Sequence, residues 1–342
     1  MAALSAADGS SGAATREPTG MDPRLEQHRV ELMGYCYRML GSAFEAEDAV
    51  QETLVRAWRS FDRYDEGRAA LRSWLFTIAT NVCLDMLRSA QRRARAMDLG
   101  PASFAGASLG APLPASAWVQ PIPDSRVLLT GGDPAELVAQ RETIRLAFVA
   151  ALQHLPPRQR VVLILREVLC WTANEVARLL DTTVASVTSA LQRARSTLEL
   201  TNVAPVEPFQ PLNEAQQELL ARYCDAFERY DVDALVSLLR EDATMSMPPF
   251  AWWLRGRAEI RRALLAAERP CDGARLLPTV ANGSPAFGQY RPSGPEGGYE
   301  PFALVILEVS GGLITETTTY LDAERLFPLF DLPTGAGAVA LR

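Results

Sequence analysis

Apolar residues recur at helical spacing through residues 21–200 and at strand spacing near the C-terminal end. Leu32, Tyr35, Cys36, Met39 and Leu40 follow the i, i+3, i+4 rule of an amphipathic helix, and Ala49, Val50, Thr53, Leu54, Ala57 and Trp58 repeat it. After a polar loop from Phe61 to Ala69, Leu75, Ile78, Ala79, Val82 and Met86 predict a helix from Leu71 to about Arg95. The period is lost over 96–133, a stretch rich in Pro, Gly, Ala and Ser that reads as an extended linker without core elements. Its one apolar patch runs from Trp118 to Asp124, and an aromatic in such a linker suggests docking through Trp118, Pro121 and Asp124. Helical spacing resumes over 134–200. There Thr172 and Glu175 form a capping box, Val176, Leu179 and Leu180 a buried face, and Asp181-Thr182-Thr183 a turn. The next helix buries Val184, Val187, Leu191, Ala194 and Leu198, which completes a helix-turn-helix.

The pattern changes class after a Pro-containing linker at 201–211. Asn213 caps a helix through Leu219, Leu220, Tyr223, Cys224 and Phe227, and two shorter helices follow Asp231 and Arg257. Alternating segments then predict strands at Arg275–Val280, Ala286–Arg291, Phe302–Val309 and Leu313–Tyr320, the last two joined by a hairpin at Ser310-Gly311-Gly312. Helices followed by an antiparallel sheet make an α+β unit. The expected organisation is a tail at 1–20, helical domains at 21–95 and 134–200, linkers at 96–133 and 201–211, an α+β domain at 212–332 and a tail at 333–342. Met21 is an alternative start.

Composition narrows the function classes. No apolar run approaches the roughly 18 residues of a membrane helix. The N-terminus lacks the basic start and apolar core of a signal peptide. The 5 Cys are scattered without a C-x-x-C, so disulfides and structural zinc are not expected and a cytoplasmic setting is. No metal or cofactor motif is present. The net charge of -7 equals the deficit of residues 201–342, which hold 12 Arg against 19 acids. Residues 134–200 hold 8 Arg against 6 acids, too small a surplus to grip a duplex unaided, because affinity scales with the phosphates neutralised. A DNA role therefore calls for a larger partner.

The outward face of the last helix of the helix-turn-helix presents Ser186, Thr188, Ser189, Gln192, Arg193 and Arg195, groups suited to base edges and phosphates. An ordinary solvated helix face has the same composition. The block Leu155-Pro156-Pro157-Arg158-Gln159-Arg160, with Trp171-Thr172, Glu175-Val176-Ala177 and Leu191-Gln192-Arg193-Ala194-Arg195, resembles the fourth domain of sigma-70 family initiation factors, in the extracytoplasmic-function group. The resemblance implies recognition of the minus-thirty-five promoter element and docking on the β flap of RNA polymerase. Ala190 stands where many relatives carry a basic residue.

Ala46 to Trp58 is similar to the polymerase-binding helix of that family, which implies that Glu47, Asp48, Gln51, Glu52 and Arg56 face the β′ clamp helices. Phe61 to Asp85 resembles the region that opens the minus-ten element. Asp65, Arg68 and Asn81 are then candidates for base contact, and Arg72, Arg88, Arg92 and Arg93 for phosphates. Trp74 is a stacking platform or core packing. In the family the linker threads the polymerase channels.

The C-terminal unit resembles SnoaL-like cone-shaped α+β barrels, on Ala243 to Pro249, Trp252 to Arg257 and the terminal hairpin. The fold class is thus multidomain: two all-α sigma domains and a SnoaL-like barrel. The reading is an alternative sigma factor that binds core RNA polymerase and promoter DNA without a cofactor and is modulated by its own third domain, with a separate anti-sigma protein as a further partner. The rival readings are a DNA-targeted isomerase or cyclase, with Asp242, Arg255, Tyr290 and Glu316 in a cone pocket, and a sensor whose cone, lined by Met245, Met247, Phe250, Trp252 and Trp253, binds a ligand unchanged.

Overall fold

The structure, a computed structural model, describes residues 22–88, 92–128, 133–199, 213–266, 271–293 and 298–334. The expected tail at 1–20 and linker at 201–211 lie outside them. The first helical body holds α1 (Pro23–Glu26), α2 (Arg29–Leu40), α3 (Ala43–Arg59) and α4 (Leu71–Met86). Ser42 caps α3 by accepting from Glu45 N, and Gly41, at φ 69, turns the chain between α2 and α3. Leu32, Cys36, Met39, Val50, Leu54, Leu75, Ala79 and Cys83 close its core.

The helix predicted to Arg95 ends at Met86. Beyond it Ala94 lies in a bridge to Trp118, where the side chains at 93–96 are drawn into packing with the linker. The linker is not the extended segment without core elements predicted from its composition. It carries α5 (Ala96–Leu99), a short 3-10 turn at Ala115–Ala117 and α6 (Asp124–Val127), and it buries Trp118, Val119, Ile122 and Val127.

The second helical body follows: α7 (Pro134–Glu142), α8 (Leu146–Leu152), α9 (Pro157–Leu163) continued by a π-type turn at Ile164–Val168, α10 (Ala173–Leu179) and α11 (Val184–Glu199). Trp58, predicted on the apolar stripe of α3, and Val184, predicted in the core of α11, are both exposed.

The third unit contains α12 (Glu214–Glu228), α13 (Val232–Ser237), β1 (Leu239–Ser246), β2 (Trp253–Arg255), α14 (Arg257–Leu264), β3 (Arg275–Ala281), β4 (Ser284–Ser293), β5 (Gly298–Ser310), β6 (Leu313–Tyr320) and α15 (Ala323–Leu329). The sheet order is β2-β1-β6-β5-β4-β3, antiparallel except for the parallel β1–β6 pair. Sequence pattern did not reveal β1 and β2. β1 buries Leu239, Ala243 and Ser246 around five less buried residues, without the strict alternation that marks a half-buried strand.

Two cores use the two faces of this sheet. Phe287, Val305 and Leu307 face α12–α14, where Phe287 stacks on Tyr223 at 5.7 Å. Their neighbours Ala286, Leu304 and Ile306 face the other way and join a core that continues through α15 and the linker to both helical bodies. Strand β5 is buried on both faces because this second face is covered by the rest of the chain rather than by water.

Candidate nucleic-acid interface and the contacts that hold it

The capping box on α10 is formed: Glu175 N donates to Thr172 Oγ1 at 3.3 Å, and Thr172 N donates to Glu175 Oε2 at 2.7 Å. Val187, Leu191 and Ala194 anchor α11, and Ser186, Thr188, Ser189, Gln192, Arg193 and Arg195 are all exposed. Two of these are engaged: Thr188 Oγ1 donates to Val184 O, and Arg195 pairs with Glu167 at 2.6 Å. The side chains of Ser189, Gln192 and Arg193 have no hydrogen-bond partner of their own among the described residues. Ala190 is half-buried against the core rather than on the outer face.

The corresponding face of α4 is engaged in part. Arg72 Nε donates to Glu31 Oε1 at 2.8 Å and Oε2 at 3.0 Å, and the guanidinium lies over Phe76 and Trp171 at 5.2 and 4.9 Å. Trp171 precedes the cap of α10, and its ring meets Phe76 at 5.2 Å, so the helix-turn-helix packs directly on α4. Trp74 stacks on Tyr64 at 5.0 Å and packs against the core. Asp65 Oδ1 accepts from Gly67 N, Arg68 is 88% exposed beside it, and Asn81 is exposed. Arg88 is 81% exposed, 3.4 Å from Asp85.

Arg93, predicted to meet phosphate, is buried instead; it donates to Ala115 O at 2.9 Å and Trp118 O at 3.0 Å and pairs with Glu45. Arg92 reaches His154 at 2.9 Å. Two further arginines join the helical bodies. Arg38 Nη2 donates to Thr143 Oγ1 at 2.7 Å, and Arg160 donates to Met39 O and to Gln153 Oε1 at 2.6 Å. Burial lowers both guanidinium pKa values to about 10, so both stay cationic at neutral pH.

On α3, Asp48, Gln51, Glu52 and Arg56 are exposed, with Glu52 and Arg56 paired at 2.6 Å. Glu47 is held by Arg29 at 3.4 Å and Arg126 at 3.8 Å. Trp58 adds an apolar surface at 45% exposure on the same helix.

The third unit reaches into the seam between the helical bodies. Asn282 and Gly283, at φ 56 and 71, form the two-residue turn between β3 and β4. Asn282 is fully buried. Its Nδ2 donates to Tyr37 Oη and to Ile144 O, each at 2.6 Å, and its Oδ1 accepts from Ile122 N at 2.9 Å. Gly283 N donates to Asp124 Oδ1 at 2.7 Å, and a Cβ at Gly283 would lie 2.9 Å from Arg141 Cβ. Tyr320 Oη donates to Val119 O at 2.9 Å.

Two ion pairs flank this turn: Arg145–Glu308 at 2.8 Å and Arg95–Glu316 at 3.8 Å. Burial pushes the Glu308 carboxyl up to about 7, against the pull of Arg145, and pushes Asp124 up to about 6. The linker also lies along the third unit. Trp118 is 3% exposed in a cluster with Trp253 and Ala96, Trp253 Nε1 donates to Gly100 O, and Ser103 N donates to Trp253 O at 2.7 Å.

Comparison with known proteins identifies the domains that carry these faces. Residues 25–93 match the family model for Sigma-70 region 2, residues 145–198 that for Sigma-70 region 4, and residues 220–317 that for a SnoaL-like domain. The chain is 42% identical over 312 residues to the ECF RNA polymerase sigma factor SigG of Mycobacterium tuberculosis, covering 90% of this chain and 82% of that one. This chain belongs to the extracytoplasmic-function sigma factors. It is 31% identical to SigJ of the same organism over 222 residues, 65% of this chain and 63% of that protein. The crystal structure of SigJ has the same fold, with a TM-score of 0.58 at 23% identity over 91% of this chain and 98% of SigJ.

As a sigma factor the protein is a transcription initiation factor and not an enzyme. Asp242 pairs with Arg240 on the surface, Arg255 is exposed over Trp253, Tyr290 Oη donates to Pro333 O, and Glu316 faces Arg95. The four candidates of the rival enzyme reading do not converge. No described group of His, Cys, Asp and Glu has metal-site geometry. No helix among the described residues is long and apolar enough to cross a membrane. Sequence reading missed Asn282, although an Asn-Gly pair between two alternating segments is the strongest short hairpin signal.

Proposed function

We propose that this sigma factor works in the cytoplasm, binds core polymerase through the exposed acids, Gln51 and Arg56 of α3, and reads the minus-thirty-five element with α11 and the minus-ten element with the α4 face. In this closed arrangement the SnoaL-like domain holds the two readers together and so gates their use. The observation that carries this reading is Asn282, which bonds at once to the region 2 body at Tyr37, to the linker at Ile122 and to the start of the region 4 body at Ile144.

A length argument supports it. Elements centred about 25 base pairs apart are separated by roughly 85 Å of duplex at 3.4 Å per base pair. Phe76 and Trp171 stand 5.2 Å apart, so the two readers cannot span that distance while they touch. The 38 residues from 96 to 133, if freed, reach up to about 125 Å. Opening is therefore required, and release of the linker from the SnoaL-like domain supplies the length. Transcription with purified core polymerase, comparing the full chain with a truncation after Val203, tests the gate. The truncated chain is expected to differ in promoter-dependent initiation, and equal activity across conditions contradicts gating.

A further inference from the structure

A cavity of about 320 Å³ lies where the linker crosses the SnoaL-like domain. Its walls come from three separate segments: Trp118 and Pro121 of the linker, Pro249 after β1, and Tyr320 and Arg325 at the end of the sheet and on α15. Trp118, Tyr320 and three prolines share the lining with leucines, and its polar side chains are few, chiefly Gln120, Asp322 and Arg325, as in small-molecule sites. The guanidinium of Arg325 rests on Phe44 at 4.5 Å and makes one contact, at 3.4 Å, to Asp322. Its other donors are unclaimed among the described residues. Trp118, which lines the cavity, has its Nε1 buried without an acceptor among the described residues, which is uncommon for an indole.

We propose that this cleft binds a small aromatic anion, with ring systems against the prolines and Trp118 and a carboxylate or sulfonate on Arg325. The site is separate from the interior of the cone, which is bounded by α12–α14 and the opposite face of the sheet. Because the walls come from both the linker and the SnoaL-like domain, the cleft exists only while the two are in contact. A ligand that fills it binds the closed form alone and shifts the population toward it. The effect on transcription rests on the gate proposed above; occupancy of the cleft does not.

The probe is 1-anilinonaphthalene-8-sulfonate, titrated by fluorescence into the full-length protein without polymerase. One saturable site is expected. Ala115→Phe, which places a ring in the cavity from an exposed linker position, and Arg325→Gln, which removes the charge, should each weaken it about tenfold or more. Ala221→Phe, in a separate apolar cleft beside Leu220 and Cys224, should leave it unchanged. Thermal unfolding of each variant checks that the chain still folds. Absence of saturable binding overturns the proposal, as does an affinity within about twofold of the parent in either Ala115→Phe or Arg325→Gln. A failed gate with an occupied cleft would appear as normal probe binding and no effect of the probe on transcription.

Discussion

Helices α11 and α4 each carry polar residues suited to DNA, yet they spend them differently. On α11 the side chains of Ser189, Gln192 and Arg193 are exposed and make no hydrogen bonds among the described residues. On α4 the nearest arginine, Arg72, is fixed by Glu31 and covered by Phe76 and Trp171. In the proposed reading, the minus-thirty-five reader is thus exposed in the closed form, whereas part of the minus-ten reader is used as an internal contact. Residue type places a group in a candidate interface; only its partners decide whether it is free to act there.

The largest perturbation of this asymmetry is expected from Asn282→Ala. It leaves Tyr37 Oη, Ile144 O and Ile122 N without their buried partner, a loss of about 3 kcal/mol or more in the closed form. Small-angle scattering should show an expanded particle, and single-stranded minus-ten DNA should bind more tightly. Gln192→Ala is expected to cost about 1–3 kcal/mol of discrimination at one base pair of the minus-thirty-five element. That loss should be the same in the full chain and in the truncation, because α11 is open in both. Binding to a panel of single-base variants measures it.

The closed form should also respond to pH. Opening would return Glu308 from a pKa of about 7 to the usual carboxylate range near 4.5. A raised folded-state value favours the protonated, closed form, so this stabilisation is complete below about 4.5 and is lost as pH rises through about 7, an effect of about 1–3 kcal/mol. Asp124, raised to about 6, acts in the same direction. Scattering between pH 5.5 and about 8 should show expansion on the alkaline side, and Glu308→Gln should flatten that response. The smallest effect is expected from Glu31→Gln, which frees Arg72 from a partly exposed ion pair of about 0.5–1 kcal/mol. It should raise minus-ten binding slightly and leave minus-thirty-five binding unchanged.

The parts of the molecule that were legible in the sequence are those specified locally. The Thr172–Glu175 box, the Asp181 turn and the Gly311-Gly312 hairpin each lie within a few residues, so propensity and spacing reveal them. Asn282 bonds to residues 245, 138 and 160 positions away, and no periodicity encodes such a contact. The linker failed for a related reason: Trp118, Val119 and Ile122 are buried by other segments, not by a helix or sheet of their own. Arg93 and Arg72 have the composition of phosphate ligands, and their sequestration follows from Glu45 and Glu31, 48 and 41 positions away.

The central claim is that the SnoaL-like domain holds the two promoter-reading bodies in contact. Its most direct test is the distance between fluorophores placed at exposed Arg59 and Arg178, in a chain whose exposed Cys170 has been changed to Ser. A single short distance is expected in the full chain, with a shift to a long, broad distribution on Asn282→Ala and on truncation after Val203. The same short distance in all three proteins would contradict the claim.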